Sequence, residues 1–587
     1  MRTDAGGVEL RHQGSVGGEH YGRLIMGPIE VGYQVEQAEV RTSDGTVNVA
    51  FYIKYAYRCR CHRAPAFVQN WHDDLCMIRD RPAELQIADR VSLPERDAVP
   101  FRAVKKAVEF AFGEGGSIKT RVLRSGIWVG ASEVTLAVLN IVRSVLLARL
   151  LSPQIFGLMG IALIALRTFE TFTRPGIAQA LIARQKDFDE AGPTAFTMLV
   201  VRGLVLAALL AAAAPWVGRF YEEAELTPML VAMSSLFVIG SLSNINTVAH
   251  QRNLDFRRLT YMNQVAALCG IVITVALAWL LRSVWALVLG QLAQTLLSVW
   301  LSYLFIPGRM RFAFDSAVAR DLFHYGKFVT GSSIVLYVAT EIDSAVVGKL
   351  LGTEQLGFYA LALTIANLVT TNLSKIASGI MMPAYSKLQS DVPALRRAFI
   401  RTFGLLMLVV VPATTGLLML ADPFIRVVYG EKWAAAAVPL QILAVFGLVR
   451  ALAAFSGYLF EGMGVPKVAF HLGVLRLVLI LPLIIPMVSR FGLAGAALTV
   501  TAGIAVQWVA GLVYLRRLAG ITVREIAGSI WRPLWMSALM AASVATVMSH
   551  INPATVAGLI LAIATGVAVY GVLSMPVLLA FKRERFS

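Results

Sequence analysis

Ala148-Arg-Leu-Leu-Ser-Pro-Gln-Ile-Phe-Gly157 returns two hundred residues later as Gly348-Lys-Leu-Leu-Gly-Thr-Glu-Gln-Leu-Gly357. The likeness runs without a gap from 122–163 onto 322–363, where 11 of 42 positions are identical, against about four from an apolar-biased composition. A second match, offset by 208, sets Pro215-Trp216-Val217 and Tyr221 against Pro423-Phe424-Ile425 and Tyr429. Shared composition does not account for it, because the matched Gly and Arg/Lys positions lie in connections between apolar runs. A repeat of this length fixes an architecture before any single element is assigned.

The runs on either side of the quoted stretch are long enough to cross a bilayer, which takes roughly 20 residues. Fourteen are expected, near 124–147, 156–182, 194–215, 227–247, 262–281, 284–305, 323–347, 356–385, 402–421, 435–459, 468–488, 491–514, 533–549 and 556–580. The spacing predicts an all-α integral membrane protein: a six-helix half over 116–315, a second over 316–520, and two additional helices over 521–587. Six is even, so the halves share one orientation and form a parallel pseudo-repeat about the membrane normal. Alternate loops carry 21 basic residues against seven in the others, which puts both termini in the cytoplasm.

Composition agrees. Of 587 residues 57% are apolar and 15% charged, where soluble domains carry roughly 25% charge. The charge of +17 divides into −1 over residues 1–115 and +18 over the rest. The basic excess therefore belongs to the apolar part, which argues against a nucleic-acid-binding arm and for a cytoplasmic-facing loop signal. Residues 1–115 form a polar cytoplasmic extension. Val31–Tyr57 has strand character with Asp44-Gly45 as a hairpin turn, and two readings stand side by side, a small appendage or a partly disordered, dispensable segment. No signal peptide is expected. Cys59, Cys61, His62, His72 and Cys76 lack a standard zinc spacing, so free thiols are expected and no metal or cofactor.

Further motifs cluster at the span ends: Ala180-Leu-Ile-Ala-Arg184, Gln251-Arg-Asn-Leu-Asp-Phe-Arg257, Leu356-Gly-Phe-Tyr359, Met382-Pro-Ala-Tyr-Ser-Lys-Leu-Gln-Ser-Asp391 and Gly430-Glu-Lys-Trp433. Together with the repeat, they resemble the polysaccharide transporter family. These are Wzx-type flippases and exporters, colanic-acid and succinoglycan exporters among them, of the multidrug/oligosaccharidyl-lipid/polysaccharide superfamily. The likeness covers about 117–520 well, the last two helices weakly and 1–115 not at all. It implies a MATE-like fold and alternating-access movement of an undecaprenyl-diphosphate-linked oligosaccharide across the bacterial inner membrane. The cargo would be a repeat unit of exopolysaccharide or lipopolysaccharide, with a polymerase and co-polymerase as partners. Two alternatives are a multidrug extruder of the same superfamily, which would favour acidic cavity residues, and a polymerase or ligase, which would need a large outer loop. No nucleotide-binding motif points to an enzyme.

An ionisable residue within a span costs at least ~2.5 kcal/mol to insert and so faces a wet cavity or a partner. Arg167, Glu170 and Arg174, spaced i, i+3 and i+7, share a helical face. With Arg143, Arg202, Arg450 and Arg476 they make a candidate cationic cavity suited to a diphosphate, since guanidinium binds phosphate oxygens bidentately. Glu133, Glu341, Asp343 and Lys375 are candidates for gating or ion pairing. Arg143 with Glu341 or Asp343 is expected as an outer gate or a structural latch, and Glu170 with Arg174 as substrate contact or internal pair.

Overall fold

The computed structural model describes residues 135–583, apart from 174–176, 178–180, 182–187, 253–255, 309–310 and 552, with only the backbone over 189–190, 256, 321–333, 369–380, 383, 578 and 580–583, and the backbone of four strands between 8 and 55. The chain divides into two compact units, Met1–Val99 and Pro100–Ser587.

In the first unit β1 (Val8–Val16), β2 (Glu19–Met26), β3 (Ile29–Arg41) and β4 (Val47–Tyr55) form an antiparallel meander in the order β1-β2-β3-β4. The strand character expected over Val31–Tyr57 corresponds to β3 and β4, paired from Tyr33↔Tyr55 to Arg41↔Val47. Two further strands precede it, where a Gly-rich polar stretch gave no strand signal. The turn at Asp44-Gly45 and the Cys/His set from Cys59 to Cys76 lie outside the described residues.

Among the described residues, and apart from short π and 3₁₀ turns, the second unit's regular structure is helical. It opens with α1 (135–150), then α2 (Pro153–Phe172), α3 (Phe188–Tyr221), α4 (Leu226–Ser241), α5 (Asn246–Arg252), α6 (Phe256–Leu281) and α7 (Val284–Phe305). It continues with α8 (Ser316–Lys387), α9 (Val392–Phe424), α10 (Ala437–Gly462), α11 (Pro466–Ala519), α12 (Val523–His550) and α13 (Val556–Arg583). Among the described residues, eight helices are long and apolar enough to cross a membrane, or nine if α4 and α5, bent by 60°, count as one span. Two of the long helices are broken in the middle: α8 at Gly352 (φ 87°, ψ 175°) and α11 at Gly492 (φ 58°, ψ −136°). Both dihedral pairs are conformations that glycine alone adopts cheaply, so each long element is two rods joined at a corner.

The ends are specified locally. Pro153 starts α2 directly after Ser152. The Asp315 carboxylate accepts from the Ala317 and Val318 amides to begin α8, Asp391 caps α9, and Thr522 with Glu525 forms a capping box on α12. The α4–α5 bend frees backbone groups that hydrocarbon could not satisfy. Asn244, fully buried, answers two of them: its backbone amide donates to the Ser302 hydroxyl and its side-chain oxygen accepts from the Asn246 amide, while its side-chain amide group donates to the Ser302 and Ile306 carbonyls at the end of α7.

The largest core mixes α1 and α2 residues such as Leu147 and Ile161 with Val347, Tyr359 and Trp433 of the second half. A separate cluster of Met536, Met540, Leu559 and Ala562 seats α12 and α13 on Leu420 of α9. Large apolar side chains such as Trp216, Val272, Leu280 and Val572 point outward. That belt suits a lipid surround.

Candidate functional site

Among the described residues, two sets of polar contacts join the residues before 316 to those after it. The first gathers at one end of the bundle and is built from the repeat itself. A Cβ on Gly157 would overlap the Thr353 carbonyl, and a Cβ on Gly357 would overlap the Pro153 carbonyl. These positions are equivalent in pairs under the 200-residue shift, so the two quoted stretches meet face to face. Backbone lies on backbone, which only glycine permits.

Aromatic and basic side chains lock this seam. The Trp433 indole donates to the Ala148 carbonyl at 2.9 Å, with the Phe156 and Phe358 rings edge-on at 5.0 and 6.0 Å. The Arg149 guanidinium donates to the Val427 and Val428 carbonyls, and Lys432 donates to those of Arg149 and Leu151. In the counterpart position, Lys349 meets Glu222 at 2.8 Å, Thr353 donates to Glu223 and the Tyr221 hydroxyl donates to the Ala345 carbonyl at 3.4 Å. Glu222 holds a left-handed φ of 60° in the tight turn after α3, a conformation that costs about 1 kcal/mol or more. The hydrogen bond from Lys349, with its charge, keeps the Glu222 carboxyl below the usual range.

The second set lies inside the bundle. Arg167 of α2 pairs with Glu341 of α8 at 3.2 Å, the arginine side chain 55% exposed and the glutamate 23%. One turn away Thr168 meets the Tyr337 hydroxyl, which also donates to the Ile164 carbonyl. Behind Glu341, Arg450 donates to Asn367 at 2.5 Å. Asp343 is 2% exposed and accepts from the Tyr359 hydroxyl at 2.6 Å; Arg476, 5% exposed, lies over the Phe446 ring at 5.8 Å.

The expected pairing of Arg143 with Glu341 or Asp343 is therefore corrected. Arg143 reaches Gln294 of α7 at 3.5 Å, Glu341 serves Arg167, and Asp343 serves Tyr359. Glu341 and Asp343 are two residues apart, and i, i+2 side chains on a helix point to different sides. That spacing was the signal that could have separated them.

The shared face of Arg167 and Glu170 also divides. While Arg167 crosses to α8, Glu170 lines a cavity of about 420 Å³ enclosed with Arg202, Asn244 and Gln291. Arg202 donates to the carbonyls of Glu170 and Thr173, capping the end of α2 where a cation meets the helix dipole. Glu133, Arg174 and the side chain of Lys375 lie outside the described residues. Tyr337, Tyr359, Asn367, Gln294 and the seam residues Trp433 and Glu222 were not anticipated as site residues. Tyr221 and Trp433 did stand in the quoted motifs.

The profile of the family described as "Polysaccharide biosynthesis protein" matches residues 146–438. The lipopolysaccharide biosynthesis protein WzxC of Escherichia coli (strain K12) is 25% identical over 431 residues, 72% of this chain and 86% of that protein. The succinoglycan biosynthesis transport protein ExoT of Rhizobium meliloti (strain 1021) is 26% identical over 360 residues, 61% and 72% of the two chains. In fold the chain resembles the lipid II flippase MurJ in an inward closed conformation, with a TM-score of 0.64 at 14% identity over 78% of this chain and 99% of that one. It also resembles an inward-facing multidrug resistance MATE family transporter of the MOP superfamily, with a TM-score of 0.53 at 15% identity over 70% and 97%.

Proposed function

We propose, on the premise that this chain belongs to the polysaccharide biosynthesis protein family, that it is a flippase for an undecaprenyl-diphosphate-linked oligosaccharide. It would carry a repeat unit of exopolysaccharide or lipopolysaccharide from the inner to the outer leaflet of a bacterial inner membrane. The relatives named for lipopolysaccharide biosynthesis and succinoglycan transport support the substrate class.

The reading takes fourteen spans, in two six-helix lobes and a terminal pair, with both termini cytoplasmic. The breaks at Gly352 and Gly492 support the count, since each turns one long helix into two rods. The reciprocal contacts of Gly157 and Gly357 support the two-lobe repeat. The loop-charge bias assigns the seam to the outer side. The lobes are then closed outward and accessible from the cytoplasm.

The observation that carries the mechanism is the Arg167–Glu341 bridge. Its guanidinium is half exposed, spans the lobes and meets one carboxylate oxygen, so donors are left for an incoming diphosphate. Phosphate oxygens compete with Glu341 for Arg167, and Arg450 and Arg476 behind it add positive potential. Freed of its partner, Glu341 no longer ties α8 to α2, and the lobes can rock about the interior while the seam opens. Transport in this reading makes and breaks no covalent bond. The chemistry of repeat-unit joining would fall to a polymerase and co-polymerase acting on the delivered substrate.

The test is a deletion strain together with proteoliposomes. Loss of the gene should leave lipid-linked repeat units on the cytoplasmic leaflet and abolish surface polysaccharide, and the purified protein should move a fluorescent lipid-diphosphate oligosaccharide between leaflets. Normal polysaccharide with new drug sensitivity would instead identify a drug extruder.

A further inference from the structure

A cavity of about 850 Å³ lies between α9 and α12, away from the Arg167–Glu341 bridge. Four guanidinium groups border it, Arg396, Arg397 and Arg401 from α9 and Arg532 from α12, against one carboxylate, Glu525. That carboxylate is already engaged: it meets Arg396 at 2.8 Å and accepts from the amide and hydroxyl of Thr522. Arg397 and Arg532 therefore bring positive charge beyond what that carboxylate offsets. Loop arginines on the cytoplasmic side of a membrane protein ordinarily spread into water. Here they converge on one concavity.

The lining changes character with depth. Beyond the arginines it runs along Leu408 of α9, Pro533 of α12 and Val577 of α13, which are apolar. Trp531 and Trp535, beside Arg532 in sequence, are 65% and 41% exposed. Tryptophans exposed on the outside of a membrane bundle favour the level of the lipid headgroups. A site with guanidinium groups at the headgroup level and hydrocarbon walls below fits a phosphate carried on a lipid, with the phosphate accepting bidentately from arginine.

We infer that the cavity bordered by Arg397, Arg401 and Arg532 binds the phosphate headgroup of an anionic phospholipid, whose acyl chain follows the apolar wall of Leu408 and Val577. The lipid ties the terminal helix pair to α9 at the membrane interface. It is a standing component of the folded protein, distinct from anything moved through the interior, and the inference does not depend on the transport reading.

The test uses the full chain in nanodiscs of phosphatidylcholine doped with phosphatidylglycerol, with native mass spectrometry counting the phosphatidylglycerol that survives delipidation. The double variant Arg397→Gln/Arg532→Gln should retain roughly tenfold less than wild type, a loss of about 1.4 kcal/mol in binding. Arg397→Lys/Arg532→Lys should retain most of it. Equal retention by wild type and the Gln variant overturns the site. Displacement by inorganic phosphate or glycerol phosphate as effective as by short-chain phosphatidylglycerol overturns the lipid assignment in favour of a free anion. Should the Gln variant fail to fold, short-chain phosphatidylglycerol against short-chain phosphatidylcholine on wild type decides, equal competition overturning the proposal.

Discussion

Arg167 of α2 crosses from one half of the helical unit to meet Glu341 of α8 at 3.2 Å, while Asp343, two residues further on, turns into the second half to accept from Tyr359. One acid thus reaches a helix that precedes residue 316 and the other stays with a partner that follows it. The consequences of removing them differ accordingly.

Arg167→Ala should lower transport of a lipid-linked oligosaccharide at least tenfold with little loss of protein. The pair is exposed enough that its contribution to stability is about 0–1 kcal/mol. Transport in proteoliposomes and thermal unfolding, measured together, check this; a fall in abundance parallel to transport would make the bridge structural only. Arg167→Glu/Glu341→Arg should keep the stability of the fold and lose the transport.

Arg476→Gln should destabilise the protein, because it removes a buried cation that acts electrostatically on the buried Asp343 carboxylate. Asp343→Asn in the same chain should recover part of that loss. Unfolding curves of the two single variants and the double variant test the coupling, and strict additivity would deny it.

Gly157→Ala and Gly357→Ala should each push the seam apart, since the new methyl overlaps a backbone carbonyl. The cost is about 1–3 kcal/mol of overpacking, borne by the closed seam. Spin-label distances between 154 and 354 should lengthen in both variants and by similar amounts.

The Lys349–Glu222 contact should respond to acid with a definite sign. Lys349 holds the Glu222 carboxyl below its usual range, so the contact is complete above the ordinary glutamate range and is lost as pH falls through the depressed value. Labelling of a cysteine at 354 should rise only in that acidic window. Glu222→Gln should remove the response.

Removing residues 1–115 should leave transport intact. A well-expressed truncated protein that no longer transports would assign that segment a role.

Much of the fold was open to reading because hydrocarbon restricts the choices: a chain this apolar must bury its backbone groups in helices, and the 200-residue recurrence already paired Gly157 with Gly357. The partners of the intramembrane charges were not. Helical spacing reports which side of a rod a residue occupies, not which rod lies opposite. Arg143 and Asp343 occupy equivalent positions in the recurrence, and each turns into its own half, so their opposite signs suggested a pair that the packing does not make. Arg167 and Glu170 differ by only about 60° around α2, yet one looks across to α8 and the other into the cavity by Arg202. Likewise nothing local marks Arg202 as the cap of a helix ending nearly thirty residues earlier.

The meeting of Gly157 with Thr353 and of Gly357 with Pro153 has no charge in it. Ionic strength weakens the bridges around it and acid removes one of them, but neither reaches a contact made of carbonyl against α-carbon. The junction therefore has a portion that the solution can tune and a portion that responds only to geometry. On the proposed transport reading, conditions outside the cell would change how readily the lobes part, while the register in which they close again would be kept by two missing methyl groups.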